Sequence, residues 1–416
     1  MTAHQGDTRE ERGPSSPDDG CQVRLVHVTT VPESLRFVAG QVGFMQGRGF
    51  QVHCLSSPDP MLERFAEREQ VAVHPVPMHR RITPLHDLSA IARLRRHMRR
   101  IRPAIVHAHT PKGGVLGMIA ATLAGVPVRI YHIRGLPFMT ATGRKRFLLR
   151  WSEVVSCRLA HQVLCVSHSL RDVAVEEGLC PAEKIIVLHH GSGNGVDAAG
   201  RFDPRQVGPV ARAATRALYS IPDDARVIGF VGRVVRDKGL VELAEAWTVL
   251  REEFPDVHLL IVGPFEPQDP VPTEVEDLLR RDPRVHLTER VDDTPQLYAA
   301  MDILTLPTYR EGLPNVVLEA GSMELPVVAT RIPGCVDAVL HDITGTLIAP
   351  RDAAALADAV RTYLRNPTLR RMHGQAGRER VLREFRREVI WQATYEEYGR
   401  LMMERGLPVP YTRRDD

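Results

Sequence analysis

A chain of 416 residues, 43% hydrophobic and 25% charged, has globular composition and, at roughly 100–200 residues per domain, room for two to three domains; general disorder is excluded. No apolar run approaches the roughly 20 residues of a membrane span, and the N-terminal stretch is polar and acidic without the apolar centre of a signal peptide, so the expected location is cytoplasmic. The net charge of +3 conceals an uneven distribution: residues 1–20 hold 2 basic and 5 acidic residues, residues 21–196 hold 23 and 11, and residues 197–416 hold 29 and 35.

In chain order, residues 1–20 read as a disordered tail. Beyond them, short apolar runs alternate with longer segments of helical period, which is the pattern of a parallel sheet with crossover helices, so the fold class is α/β. Strands are expected at 23–28, 51–55, 71–76, 105–107, 128–131, 162–166 and 184–188. Residues 191–224, rich in glycine and proline, interrupt the alternation and read as a linker. A second set of strands is expected at 227–231, 257–262, 285–287, 303–306, 327–329 and 345–348. The last amphipathic stretch, residues 384–404, has no strand after it and is free to pack back on the first half. The expected organisation is two Rossmann-like domains facing across a cleft: one over 21–196, completed by a returning helix at 386–410, and a second over 197–385. Open α/β sheets bind ligands outside the carboxyl ends of their strands, which places the ligand between the domains.

Six cysteines (Cys21, Cys54, Cys157, Cys165, Cys180, Cys335) lie far apart with no CxxC pair and no Cys/His ladder. They read as reduced, buried thiols rather than a disulfide framework or a zinc site. Lysine is scarce: among 54 basic residues only Lys112, Lys145, Lys184 and Lys238 are lysines.

Two segments carry the chemistry. The first, GFVGRVVRDKGL at 229–240, ends an apolar strand in glycines, Gly232 among them, that let backbone approach a ligand, and then projects Arg233 and Lys238 from the loop and the opening of the next helix. That arrangement clamps a diphosphate, although it matches neither GxGxxG nor a Walker A loop. Taken alone, it equally describes a strand-to-helix turn with two solvated cations. The second, YREGLPNVVLEAGSMELPVVAT at 309–330, carries Glu311, Gly312 and Leu313 in a loop and Pro314 at the expected first position of a helix. The amides of Asn315, Val316 and Val317 are then free to receive an anion, and Glu319 follows about one turn on. Carboxylates at 311 and 319 straddle that anion position, and carboxylates accept hydroxyl hydrogen bonds well. No D-x-D triad is present, so the cationic role falls to Arg233, Lys238 and the helix amides, and neither metal nor other cofactor is expected.

GRVVRDKG followed by EGLPNVVLE, with NGVD at 194–197 between the expected domains, resembles the retaining glycosyltransferases of family 4, which have the GT-B fold; the resemblance covers about residues 21–405. It implies a nucleoside-diphosphate sugar donor, best matched by a uridine diphosphate sugar, and retention at the anomeric carbon. By the same resemblance Arg233 and Lys238 hold the donor diphosphate, Glu319 the ribose and Glu311 the transferred sugar, while backbone near Val291 meets the base. Gly232 and the run from Gly312 through Leu313, Pro314, Asn315 and Val316 belong to the donor site. In the first half, VHAHTPKGGVLG, RIYHIRGLPF and GSGNGVD are similar to a subgroup that acts on polyprenyl-diphosphate sugars and other surface-polysaccharide precursors. His109 and Lys112 follow an expected strand toward the cleft, which suits contact with the acceptor.

The sequence departs from the family pattern at two places. Where many members have histidine before glycine, this chain has Arg134 before Gly135; a guanidinium stays charged, so a phosphate or sugar contact fits it better than proton transfer. The first loop, TTVPESLRFVAG, lacks the paired glycines common in the family, leaving Ser34 or its backbone to serve there. Basic clusters at 91–102 and 143–150 suit an anionic headgroup or a diphosphate-linked acceptor, hence peripheral contact with an anionic membrane. Nucleic acid is disfavoured because no aromatic interleaves with those arginines. Rival readings are a nucleotide-sugar 2-epimerase, a donor-binding protein without catalysis, and transfer to a soluble aminocyclitol or aglycone.

Overall fold

The computed structural model describes residues 23–410 apart from positions 82, 192, 268 and 292; the tail expected over 1–20, and Cys21, lie outside the described residues. The first half is a seven-stranded sheet of β1 (Val23–Val28), β2 (Phe50–Ser56), β3 (Ala72–Pro75), β4 (Ile105–His109), β5 (Val128–Ile133), β6 (Gln162–Cys165) and β7 (Ile185–Ile186), in the order β3-β2-β1-β4-β5-β6-β7. The second is six-stranded: β8 (Arg226–Val231), β9 (Val257–Val262), β10 (Val285–Thr288), β11 (Ile303–Leu306), β12 (Val327–Thr330) and β13 (Gly345–Ile348), in the order β10-β9-β8-β11-β12-β13. Every assigned pairing is parallel. Helices cover both faces, so central strands such as VHLLIV of β9 are buried along their whole length. The expected strands are therefore present, with β4 and β5 each running two residues further than expected and β7 shrinking to two residues at the sheet edge.

One hydrophobic cluster fills the second half, and two fill the opposite faces of the first sheet. The terminal helix Arg387–Met403 returns to the first sheet, where Tyr398, Leu401 and Met402 join the cluster under β1 and β2. Each such buried aliphatic side chain contributes roughly 1.5–3 kcal/mol. The chain crosses between halves twice, and the crossings pair with each other: Val196 N–H donates to Phe385 O at 2.8 Å and Arg387 N–H donates to Val196 O at 3.2 Å. Asp197 holds the Arg387 guanidinium at 3.0 Å, and Trp391 donates its indole N–H to Asn194 Oδ1 at 2.8 Å. Asn194 in turn donates to Ala39 O at 3.0 Å. The NGVD segment is thus the pin of the hinge.

Residues 191–224 are not merely a linker. They contain the helix Pro204–Leu218, capped by Asp203 and kinked at Gly208 and Pro209. Those breakers mask the helical period in the sequence, and the helix docks through polar groups: Arg216 is 1% exposed and donates to the carbonyls of Ala300, Asp223 and Ala225 and to Asp302. The five described cysteines are free and buried. Among the described residues no helix is long and apolar enough to cross a membrane.

Glu153, in the helix Gly143–Leu159, is buried beneath β5 and accepts from Tyr131 OH at 2.6 Å, while its Oε1 has no partner. Burial pushes its pKa up to about 7, with the Tyr131 hydrogen bond opposing. The folded chain therefore holds this proton more tightly than the unfolded chain, and stability falls as pH rises from the unfolded carboxyl value to about 7. Glu153→Gln is expected to remove that slope and gain up to about 3 kcal/mol above neutrality. Urea melts of both chains at pH 5 and pH 8 check it; parallel pH dependence in the two would reject it.

Candidate functional site

The carboxyl ends of the two sheets meet in a seam. Ser167 Oγ, just after β6, donates to Gly312 O at 2.7 Å, and a Cβ on Gly312 would run into the Arg134 carbonyl oxygen. Leu313, the next residue, packs against hydrophobic clusters of both halves. Asp337 in the second half caps the helix His168–Glu176 of the first, accepting from His168 N at 3.0 Å and Ser169 N at 3.2 Å. Arg310 reaches Asp237 at 3.1 Å and Thr140 at 3.2 Å, and Arg290 reaches Glu33 at 3.4 Å.

Lys238 and Glu311 face each other in this seam as a half-buried ion pair. Lys238 does not open the next α-helix as expected; it closes the short 3-10 turn Arg236–Lys238 that precedes it. The chain then turns through Gly239, at φ 73°, before the helix Leu240–Glu253. A side chain there would meet the Pro307 carbonyl as well as strain the backbone, so β11 and this turn are locked together through glycine. Tyr309 adds to the lock, donating its hydroxyl to Glu242 at 2.6 Å.

Beyond Glu311, Pro314 is the cap of the helix Asn315–Ser322 rather than its first residue, and no side chain caps it. Of the three amides expected to be free, Val317 N–H donates back to Pro314 O at 3.0 Å, which leaves those of Asn315 and Val316 without an intrahelical acceptor. Glu319, half-buried on this helix, accepts from Tyr298 OH at 2.7 Å. Burial raises its pKa, with the Tyr298 hydrogen bond and then the charges of Arg36 and Arg201 opposing. Arg233 stands farther out, half exposed and paired with Glu266 at 2.9 Å. Gly232, at φ 156°, follows the last residue of β8, Val231, and leads into this loop. Val291 packs half-buried on the core of the second half.

On the first-half side, β1, β4 and β5 end in histidines. Register pairs His27 with His107 and His109 with His132, and the two-residue strand period puts His107 and His109 on one face. His109 is fully buried; its Nδ1 accepts from Arg134 Nε at 3.2 Å, and its Nε2 lies 3.0 Å from His27 Nδ1. His107 joins Tyr398 OH at 2.6 Å to His132 at 3.2 Å. Burial first, and neighbouring positive charge after it, hold all four imidazoles well below their usual pKa, so they are neutral. His27, His107 and His109 bring potential metal-ligand atoms within 4.8 Å of one another. An accepting Nδ1 on His109 leaves its Nε2 protonated and without a lone pair to offer, so this set does not fit a metal. The surroundings of His109 are thus other histidines and Arg134. Lys112 is bound by Asp87 at 2.7 Å and by the Arg81 carbonyl. Ser34, in the turn Pro32–Val38, donates its backbone N–H to Val31 O at 3.1 Å.

The site therefore joins Lys238, Glu311, Gly312, Leu313 and the open helix end, with Arg134 across the seam. Residues that sequence reading passed over are Tyr298, Asp237, Arg310, Thr140, Asp337, Arg36 and the partners of His109, His27 and His107. Of these, only the histidines leave a signal in sequence, because they recur near equivalent ends of neighbouring strands.

Residues 35–191 match the family described as Glycosyl transferase 4-like domain, and residues 225–366 match Glycosyl transferases group 1. The chain is 31% identical over 381 residues to the Capsular polysaccharide biosynthesis glycosyltransferase CapM of Staphylococcus aureus, covering 92% of this chain and 98% of that protein. It is 25% identical over 347 residues to the UDP-Gal:alpha-D-GlcNAc-diphosphoundecaprenol alpha-1,3-galactosyltransferase of Escherichia coli, covering 82% and 87%. Among solved structures, Anabaena Alr3699/HepE in complex with UDP-glucose superposes with a TM-score of 0.76 at 20% identity, covering 91% of this chain and 99% of that one. That likeness shows the GT-B fold.

Because Asp337 caps a helix across the seam, Asp337→Ala is expected to cost about 1–2 kcal/mol and to speed amide exchange at His168 and Ser169. Hydrogen exchange by mass spectrometry checks it, and unchanged protection of that helix end would contradict the cross-seam cap.

Proposed function

The chain belongs to the GT-B glycosyltransferases of family 4, the group 1 glycosyl transferases, and from that premise we propose that it takes its sugar from a uridine diphosphate donor held by the second half. The sugar passes, with its anomeric configuration retained, to a hydroxyl of a lipid-linked or polysaccharide-precursor acceptor held by the first half. The observation that carries this reading is the Lys238–Glu311 pair standing beside the uncapped helix Asn315–Ser322 in the seam. The names of the relatives favour the same substrate class: one is a capsular polysaccharide enzyme, and the other takes UDP-galactose to a diphosphoundecaprenol-linked sugar.

In this mechanism the donor diphosphate enters where Lys238 now meets Glu311. Lys238 exchanges a carboxylate for the diphosphate, Arg233 turns inward from Glu266, and the open amides of the helix complete the cradle. The barrier is departure of the diphosphate from an oxocarbenium-like carbon, and each preorganised donor on the developing charge supplies about 3–4 kcal/mol. No metal is needed for that charge. Glu319 takes the ribose hydroxyls, and Glu311, released from Lys238, lies against the transferred sugar. Retention follows from front-face attack, in which the leaving phosphate accepts the proton of the incoming hydroxyl while the glycosidic bond forms.

A thermal-shift panel of nucleoside-diphosphate sugars tests the donor. A uridine diphosphate sugar at a hundredfold excess over its Kd should stabilise the chain by about 2.7 kcal/mol, and a panel without any stabilising nucleotide would sink the reading. In the same assay system Lys238→Ala is expected to lower turnover about 10²–10³-fold with little change in melting temperature; near-normal turnover would remove the diphosphate role.

The acceptor side carries a matching surface. Helices Pro84–Ile101, Pro111–Ala124 and Gly143–Leu159 lie side by side on one face of the first sheet, with their amino ends toward the seam. There Leu85 is 82% exposed, Phe147 67% and Trp151 57%, next to Arg144 and Lys145. Exposed apolar rings beside cations fit the interface of an anionic bilayer, where a lipid-linked acceptor resides. Phe147→Ser combined with Trp151→Ser should abolish co-flotation with vesicles containing phosphatidylglycerol. Equal flotation with neutral and anionic vesicles, or with the double variant, would refute membrane docking.

A further inference from the structure

Arg134 is a half-buried cation without a counter-ion. Its Nε and Nη2 rest on the neutral Nδ1 of His109 at 3.2 and 3.1 Å, and Nη2 also reaches Phe37 O at 3.5 Å. The guanidinium lies over the Phe37 ring, 4.6 Å from its centroid. Among the described residues no carboxylate pairs with it, and Nη1 bonds no acceptor. Burial lowers its pKa, yet an arginine keeps its proton. Withdrawing an unpaired charge from water is costly, and buried cations are otherwise paired.

The fold goes to some length to keep this charge in place. A Cβ on Gly193 would occupy the position of Nη1, so glycine in the GSGNGVD loop is what admits the guanidinium. Donation from Arg134 makes His109 Nδ1 the acceptor. His109 Nε2–H then serves His27 Nδ1, and the proton at the end of the chain, on His27 Nε2, is left buried with no partner. A carboxylate at position 109 would have satisfied the arginine outright. A neutral histidine fixes its orientation and leaves its charge unspent. The backbone of Arg134 abuts Gly312, the neighbour of Glu311, so the residue that carries this charge follows β5 at the seam between the halves.

We infer that Arg134 is a specificity residue that binds a fixed negative charge, a carboxylate or phosphate oxyanion, on the sugar side of the reaction centre. The ligand chemistry is an oxyanion recognised through the Nη1 edge, and it comes from one of two sources: a carboxylate on the donor sugar or a phosphate on the acceptor. This inference rests on the proposed nucleotide-sugar chemistry of the same seam.

Isothermal titration with UDP, UDP-glucose and UDP-glucuronate, and then with N-acetylglucosamine 1-phosphate and methyl N-acetyl-α-glucosaminide in the presence of UDP, tests it. The wild-type chain should bind the charged member of one pair at least tenfold more tightly than the neutral member; the pair that shows this identifies the source. Arg134→Gln should level that preference, Arg134→Lys should retain part of it, and Gly193→Ala should abolish it with Arg134 still present. UDP affinity should stay within twofold throughout. No charge preference in either pair, or one that survives both Arg134→Gln and Gly193→Ala, overturns the inference. A tenfold loss of UDP affinity in Arg134→Gln also overturns it, by making Arg134 a ligand of the donor diphosphate. Failure of UDP to bind the wild-type chain removes the donor reading itself, and the inference with it.

Discussion

Two segments of chain cross between the halves, and they hydrogen-bond to each other where they cross. The Val196–Arg386 pairing leaves a narrow strap with few ways to move. Asn194 ties that strap to the first loop through Ala39 and to the returning helix through Trp391, and Asp197 ties it to Arg387. Everything at the seam is therefore a consequence of one hinge setting. The relative placement of Arg134 and Gly312, of Ser167 and the same glycine, and of Asp337 and the helix it caps all depend on it. These cross-seam contacts are mostly polar, with Leu313 packed on the clusters of both halves, as at interfaces between domains that move relative to one another.

Charge at the seam is arranged for exchange rather than for rest. Lys238 and Glu311 neutralise each other, and Arg233 is held by Glu266. In the function proposed above, a diphosphate would replace a carboxylate as the partner of each cation, and Glu311 would become available for hydroxyl groups once Lys238 turns away. On that proposal the half of the chain that carries 29 basic and 35 acidic residues holds a dianionic leaving group with two selected cations and a helix end. In the other half, the excess of arginine lies on the surfaces of its helices, beside exposed Leu85, Phe147 and Trp151. The small net charge of the whole molecule averages these two uses.

The fold and the donor motifs were legible for a definite reason. Parallel strands buried on both faces leave short, largely apolar runs, such as LLIV within β9, and local loops such as GRVVRDKG and EGLPNVVLE keep their chemistry within a few residues. What escaped is non-local or masked. The helix Pro204–Leu218 was hidden by Gly208 and Pro209, which break the period of a helix that docks through Arg216 rather than through an apolar stripe. The partner of Lys112, Asp87, lies two elements earlier in the chain. Tyr298, Thr140 and Asp337 act through partners more than twenty residues away, and no local pattern in a single sequence reports such pairs.

The histidines show how the same physics serves both stability and selectivity. Four imidazoles at the ends of β1, β4 and β5 would repel one another and Arg134 if protonated; burial keeps them neutral, and neutral imidazoles can pass a hydrogen bond along a row, each accepting on one nitrogen and donating on the other. Arg134 fixes the direction of one row by donating at its head. The row ends on an unsatisfied His27 N–H, a penalty that a carboxylate at position 109 would have avoided by ending the row at once. Such a carboxylate would also have cancelled the charge of Arg134. The buried polar row costs stability, and what it preserves is a guanidinium that no carboxylate pairs with among the described residues.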